Sequence, residues 1–259
     1  MPAQLQAVNV GRNFMETAFD HNKLLKKIAK ERLAPYGIIQ EGKSRTFLYD
    51  NGWWTIIIEF QSSSWSKGSY LNIGVDFNFY PRDHFAFTYG HREKSFEEAK
   101  DESHFGQIIN DYCDFTIKKV EELKIKFKDV WTATNTFKKQ VENDPWDNFE
   151  LGILYGLIGN HSNAKKHLLK VRNEKCEHDF EFERQKLVSE ILTWFDKDET
   201  FLIKIKELIN QTRQLKKLSV VDLDNLRERK TTPNIGIANS GADGKTMSIW
   251  NSIKQWFGA

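Results

Sequence analysis

The chain has 259 residues, of which 39% are hydrophobic, 13% aromatic and 29% charged, and its formal net charge is +2. A disordered chain has fewer aromatic residues and a charge further from neutral, so this class is excluded. Two cysteines are too few for a disulfide scaffold. No stretch approaches the roughly 20 apolar residues that a membrane-spanning helix requires. A globular protein of one large or two modest domains is the class that fits.

The first residues contain no basic segment followed by an apolar run, so the sequence predicts no secretory signal and we expect a cytoplasmic location. Cys113 and Cys176 lie far apart, and both fall in helical patterns. In a reducing compartment two free thiols are the simpler interpretation, while their pairing stays open from sequence alone. The near-neutral charge argues against a dedicated nucleic-acid binder, because neutralising phosphates usually requires a clear basic excess.

A helix followed by a sheet is predicted for the first half of the chain. Apolar residues recur at three- and four-residue steps from 13 to 35, and Pro35 and Gly37 end this helix. Four segments with β character follow, at 46–49, 53–61, 70–80 and 85–89. Their hairpin-like spacing favours an antiparallel sheet over a parallel one. We therefore predict an α+β fold, with an antiparallel sheet and flanking helices, followed by a helical region.

The second half has helical periodicity. An amphipathic helix is predicted over 105–128, and Asp144-Pro145 is a typical helix start. The further predicted helices cover 149–158, 163–171, 182–195 and 200–215. The segment 151–164 resembles one tetratricopeptide unit, but no second copy follows at the expected period. We therefore expect an isolated helical hairpin here, with Gly152 and Ala164 allowing close contact.

Near the end of the chain the composition changes to that of a linker. The last residues regain a helical pattern with aromatic side chains on one face. Such a helix either folds back on its own domain or docks on a partner or on a second copy. The predicted organisation is an α+β domain, a helical region, a linker and a short aromatic helix, at 1–128, 129–226, 227–246 and 247–259.

Five short motifs lie in the predicted sheet region: Arg45-Thr46-Phe47, Asn51-Gly52-Trp53-Trp54, Glu59-Phe60-Gln61, the run from Ser64 to Ser69, and the run from Tyr70 to Gly74. Together they resemble a bacterial family of unknown function, of the DUF 4304 type. The resemblance covers roughly residues 15–125. It implies a bacterial, cytosolic α+β domain, and it carries no assigned catalytic or binding residues.

An acidic constellation on the first hairpin suggests one catalytic alternative. Asp50 lies near a turn and Glu59 lies on the next strand, as in metal-dependent nucleases that hold Mg²⁺ between two carboxylates. Gln61 stands where these enzymes have a lysine, and Lys67 is the nearest substitute. The competing interpretation is a charged strand end that faces solvent.

Aromatic residues are concentrated in the sheet region, and strand alternation prevents all of them from facing one core. Either helices cover both faces of the sheet, or one face presents aromatic side chains to a partner. Arginines beside exposed aromatics are suited to stacking contacts. The predicted partner-binding residues are Trp53, Trp65, Arg82, Arg92, Trp250, Ile253, Trp256 and Phe257.

Basic residues outnumber nearby acids towards the end of the helical region. A positive flank of this kind contacts nucleic acid or an acidic protein, although such a run is usually a solvated helix face. The candidates for nucleic-acid contact are Lys204, Lys206, Arg213, Lys216 and Lys217.

Neither a nucleophile motif nor a metal-binding spacing of histidines is recognisable, so the sequence predicts no cofactor and no metal. We expect a non-enzymatic protein-interaction module of a bacterial cytosolic system, with a component of a conflict or defence locus as a specific version. A protein partner or self-association is expected, and no membrane association. The alternative is a metal-dependent nuclease, or another nucleic-acid-directed enzyme, that uses Asp50 and Glu59.

Overall fold

An antiparallel sheet of five strands forms the centre of the first half of the chain. The computed structural model describes residues 19–141 and 144–230. The strands are Ile39–Gln40 (β1), Thr46–Asp50 (β2), Trp54–Gln61 (β3), Gly68–Phe77 (β4) and Tyr89–Glu98 (β5). Each strand pairs with the next in sequence, so the sheet is a meander in the order β1 to β5.

Seven α-helices are present among the described residues. They are His21–Leu33 (α1), Glu102–Lys126 (α2), Val130–Phe137 (α3), Pro145–Leu157 (α4), His161–Arg172 (α5), Asp179–Trp194 (α6) and Asp198–Leu215 (α7). The helix start predicted at Asp144 is confirmed, since its carboxylate accepts the Trp146 N–H at 2.7 Å and Pro145 occupies the first turn. The predicted α+β class, a sheet followed by a helical region, is likewise confirmed.

One face of the sheet forms the hydrophobic core with α1 and α2. Alternate residues of β3 and β4 supply this core face, because successive side chains on a strand point to opposite sides. The buried residues of this face are Trp54, Ile56, Ile58, Phe60, Leu71, Ile73, Val75 and Phe77. Phe127, which directly follows α2, contacts both Trp54 and Phe77. The remaining residues of these strands lie on the opposite side, here called the second face.

The hairpin of α4 and α5 has the close contact that its glycine predicts. A Cβ added at Gly152 would lie 2.7 Å from Cγ of Leu168 and 3.4 Å from the carbonyl oxygen of Ala164. Gly159 makes the turn with a φ of +76°, a conformation that favours glycine. The predicted helical hairpin is therefore present.

The predicted strand at 85–89 is wrong. Residues 81–88 form a loop, and the fifth strand starts only at Tyr89 and continues to Glu98. Most of the aromatic residues that suggested a strand lie in this loop. One of them, Phe87, packs directly over Gly74, where an added Cβ would lie 2.2 Å from the ring of Phe87. β5 itself is a largely polar edge strand, and it lacks the apolar alternation by which strands are recognised.

Two other predictions need correction. Helix α3 was not among the individual helices predicted, although it lies within the predicted helical region. Cys176 lies in the loop between α5 and α6 rather than in a helix, and both Cys176 and Cys113 are free thiols.

Some predictions fall outside the described residues. They concern helical residues 13–18, the linker from 231 onward and the aromatic helix with Trp250, Ile253, Trp256 and Phe257. The domain boundaries also stay a prediction, although residues 19–229 belong to one compact unit. In the part of the chain that the structure describes, no helix is long and apolar enough to cross a membrane.

Candidate functional site

The carboxylates of the nuclease alternative lie at opposite ends of the β2–β3 hairpin. Asp50 pairs with Thr55, whereas Glu59 pairs with Thr46 at the other end of the ladder. The two positions are four residue steps apart on β3, which corresponds to about 13 Å along a strand. Asp50 and Glu59 are therefore not brought together, and the ammonium of Lys67 lies over the ring of Phe19 at 5.4 Å instead.

Asp50 belongs to a row of polar residues that runs across the second face. Asp50 on β2 pairs with Thr55 on β3, and Thr55 pairs with Asp76 on β4. We call these three residues the sealed row, because Thr55 and Asp76 are fully buried and the end of α7 pairs with Asp50, which stays partly exposed, and with Asp76. Arg213 donates to both carboxylate oxygens of Asp50, at 2.6 and 2.8 Å, and Lys216 donates to Asp76 at 2.7 Å.

Further charges meet Asp76 under this cover. Arg82 donates to its second carboxylate oxygen at 2.5 Å, and Lys216 also donates to Asn78 Oδ1 at 3.0 Å. Glu150 on α4 faces the same cluster and is 1% exposed, and its burial raises the pKa of the carboxyl to about 8. Burial likewise lowers the pKa of Lys216, although Asp76 acts in the opposite direction.

The basic flank predicted for nucleic-acid contact is largely engaged within the protein. Arg213 and Lys216 are buried in the ion pairs just described, so these two residues do not face solvent. Lys204 pairs with Glu207 and Lys206 pairs with Asp224, each at 2.8 Å. Lys217 is exposed. The helical pattern of a sequence does not show whether a basic face is solvated or faces carboxylates of another element. In this protein the basic residues at the end of α7 face carboxylates of the sheet.

Two of the predicted partner-binding residues also serve the interior. Trp53 is 6% exposed and stacks on Phe77 and Phe79, with ring centroids 5.7 and 5.9 Å away. Arg82 holds Asp76, and its guanidinium lies over the ring of Trp146. Neither residue is presented to a partner in this arrangement.

The other end of the second face is not covered in this way. Glu59 pairs with Asn72 across β3 and β4, and Asn72 pairs with Arg92 on β5. The Asn72 amide donates to Glu59 at 2.8 Å and to Gln61 at 3.0 Å. Arg92 donates to Gln61 Oε1 at 2.9 Å and to Asn72 Oδ1 at 3.3 Å. We call Glu59, Gln61, Asn72 and Arg92 the open network.

Aromatic side chains border the open network. The exposed Arg92 guanidinium lies 4.1 Å from the ring centroid of Tyr70, and Tyr70 contacts Phe96 on β5. Trp65 lies in the loop between β3 and β4, which begins directly after Gln61, and it is 94% exposed. The predicted partner-binding residues Trp65 and Arg92 therefore lie at the same end of the sheet.

Asn72 and Phe96 were not predicted as part of this site. Strand alternation places Asn72 on the same side of β4 as Asp76, but the register that sets it beside Glu59 depends on the pairing of two strands. Phe96 lies on β5, which was itself not recognised beyond its first residue. Arg92, which donates to Asn72, was recognised only by its residue type.

The side chains at this end are of types that are common in protein interfaces. The guanidinium of Arg92 is planar and held by two acceptors and an aromatic ring, so little side-chain freedom is left to lose on binding. Tryptophan, tyrosine and arginine are the residue types that contribute most to protein interfaces. Among residues 19–141 and 144–230, no group of three or more His, Cys, Asp or Glu side chains is placed to hold a metal ion.

No protein-family model, curated protein or solved structure matches this chain. The resemblance to the family of unknown function therefore stays a prediction. The class that the fold supports is an α+β protein with an antiparallel sheet and a helical region, and its site is characterised by its own geometry.

Proposed function

We propose that this protein is a non-enzymatic interaction module that binds a protein partner with the open end of its sheet. The observation that supports this most strongly is Trp65, whose side chain is 94% exposed at the end of the sheet where Arg92 lies on Tyr70. Leaving a large indole in water forgoes the favourable burial that such a side chain offers, and an interface recovers it.

The neighbouring groups suit this role. Two hydrogen bonds fix the guanidinium plane of Arg92. Its remaining N–H groups can donate to carboxylate or carbonyl oxygens of a partner. Glu59 adds an acceptor at the same end of the sheet. An exposed aromatic residue beside fixed polar groups is the composition of an interface hot spot with its surrounding rim.

The setting is part of the same proposal. The resemblance to a bacterial family supports a bacterial cytosolic system, and a role in a conflict or defence locus is its specific version. The terminal aromatic segment, with Trp250 and Trp256, is proposed as a second contact on sequence grounds alone.

The test is an affinity capture with matched variants, followed by a binding measurement. Wild-type protein, Trp65→Ala, Arg92→Ala and Phe182→Ala are used as baits in a lysate of the organism that encodes the chain. Phe182 is the control, because it is 56% exposed but lies on α6. The captured partner is then purified, and its affinity for each variant is measured by calorimetry.

We expect Trp65→Ala to weaken the dissociation constant of that partner roughly 30-fold, which corresponds to the loss of about 2 kcal/mol at a hot spot. Arg92→Ala is expected to weaken it as well, and Phe182→Ala to leave it unchanged. Equal affinities of wild type, Trp65→Ala and Arg92→Ala for every captured partner would contradict the proposal.

A further inference from the structure

The end of α7 is attached to the sheet by buried charges. Besides its two bonds to Asp50, Arg213 donates to the carbonyl oxygens of Gly52 and Ser219, at 2.7 and 2.8 Å. All its guanidinium nitrogens therefore have acceptors, and its side chain is fully buried. Lys216, one turn further along, is equally buried against Asp76. Residues 213–219 are thus held to the sheet by two ion pairs, of which Lys216–Asp76 is fully buried while the Asp50 side chain of the other is 35% exposed.

Glu150 on α4 is buried close enough to Asp76, Arg82 and Lys216 to interact with their charges, and its own set of hydrogen-bond partners is incomplete. Its Oε2 is buried, and among the described residues it has no hydrogen-bond partner. The charged groups that face Glu150 are Asp76 from β4, Arg82 from the loop after β4, Lys216 from the end of α7 and Asp147 from its own helix. A protonated carboxyl tolerates such burial far better than a carboxylate, because ionisation adds a desolvation cost.

We propose that residues 213–219 form a pH-sensitive latch on the sheet, which is closed while Glu150 is protonated and loosens as Glu150 loses its proton. Opening the latch admits water to Glu150 and separates Lys216 from Asp76. The device goes beyond the proposed partner binding, because it acts at the opposite end of the second face.

The direction of the pH dependence follows from linkage. With the latch closed, the pKa of Glu150 is about 8, and in an open, hydrated state it returns towards its ordinary value of 4.5. The closed state therefore holds more protons between these two values, and the opening constant rises with pH by up to about tenfold per unit in this window. Lys216 acts in the opposite direction, because its pKa is lowered in the closed state. A comparison with Glu150→Gln isolates the contribution of Glu150.

The experiment is backbone hydrogen exchange of the full chain between pH 5.5 and 8.5, corrected for the intrinsic effect of pH on exchange. The reporting amides are those of Lys216 and Leu218, which donate to Thr212 and Arg213. We expect their protection to fall steeply with pH in wild-type protein, while the amides of α2 keep theirs. Glu150→Gln is expected to abolish this fall in protection, leaving only the opposite contribution of Lys216, and Glu190→Gln, the same change at an exposed position on α6, to retain the fall.

Two results would overturn the latch: a pH dependence that is identical in wild type and Glu150→Gln, or a loss of protection that spreads equally over α2. If Glu150→Gln does not fold, the wild-type series still decides, because a local loss at Lys216 and Leu218 supports the latch and a uniform or absent change contradicts it. Asp50→Asn supplies a second variant, expected to lower protection at these amides at every pH while retaining the slope.

Discussion

The two ends of the second face carry the same kinds of side chain and differ in what covers them. At one end the partly exposed Asp50 is held by Arg213, whose fully buried side chain joins the end of α7 to the sheet. At the other end Glu59 and Arg92 are joined through Asn72 and Gln61, and Arg92 is exposed. An arginine that contacts this face is therefore a buried structural group at one end and a solvent-exposed group at the other.

The energetic consequence of this difference is large. Charges removed from water depend on their partners, so deleting one member of a buried pair leaves an uncompensated charge. Exposed pairs gain little, because water solvates either partner when the other is lost. The sealed row should therefore govern stability, while the open network should govern binding.

The largest effect is expected for Asp76→Asn in the sealed row. This change leaves Lys216 and Arg82 facing a neutral side chain in a buried site, and we expect a loss of about 3–5 kcal/mol in the free energy of unfolding. Urea denaturation followed by circular dichroism at pH 7 measures this loss.

Glu59→Gln is the matched control in the open network, since it makes the same carboxylate-to-amide change on the same sheet face. It should cost less than about 1 kcal/mol, because the Asn72 amide keeps an acceptor at this position. Equal losses in the two variants would show that the two ends do not differ as described.

Much of the fold could be predicted from sequence, because its signals are local. The apolar run of β3 and the Asp-Pro helix start at Asp144 each depend on neighbouring residues, and both lie where expected. β5 was missed beyond Tyr89, since a polar edge strand is specified by its pairing with β4 rather than by its own composition.

The candidate site was predictable only in part, for a related reason. Trp65 and Arg92 were recognised as interaction residues by type and composition. The ion pair between Asp50 and Arg213 was not predictable, because the two residues are 163 positions apart in the sequence. Sequence spacing placed Asp50 and Glu59 on one hairpin, but only the strand register shows that they lie at opposite ends of it.

A smaller effect is expected midway between the two ends, at Gly74. An added Cβ would lie 2.2 Å from the ring of Phe87 and 2.6 Å from the carbonyl oxygen of Tyr89, so Phe87 and the backbone of β5 must shift. We expect Gly74→Ala to destabilise the protein by about 1–3 kcal/mol in the same denaturation experiment.

Gly106→Ala is expected to change the free energy of unfolding in the opposite direction. Gly106 lies within α2, and the nearest atom to an added Cβ is 3.8 Å away, so alanine fits and improves helix propensity. A gain of up to about 1 kcal/mol is expected. If Gly74→Ala were as well tolerated as Gly106→Ala, close packing between the two ends would be refuted.

The smallest effect on stability is expected for Trp65→Ala. Because the side chain is 94% exposed, its removal should change the free energy of unfolding by no more than about 0.5 kcal/mol. Thermal unfolding of the wild type and of Trp65→Ala at the same protein concentration measures this change. A marked destabilisation would mean that Trp65 packs within the protein, and its role in binding would then lose its support.

The contrast between the two ends is tested most directly by the reactivity of their arginines. Arg213 and Arg92 both donate to side-chain oxygens, and they differ in exposure. Native protein is treated with phenylglyoxal, and the modification of each arginine is followed over time by mass spectrometry. We predict that Arg92 reacts readily and that Arg213 stays unmodified until denaturant is added. Modification of Arg213 as fast as Arg92 in the native protein would contradict the sealed and open ends described above.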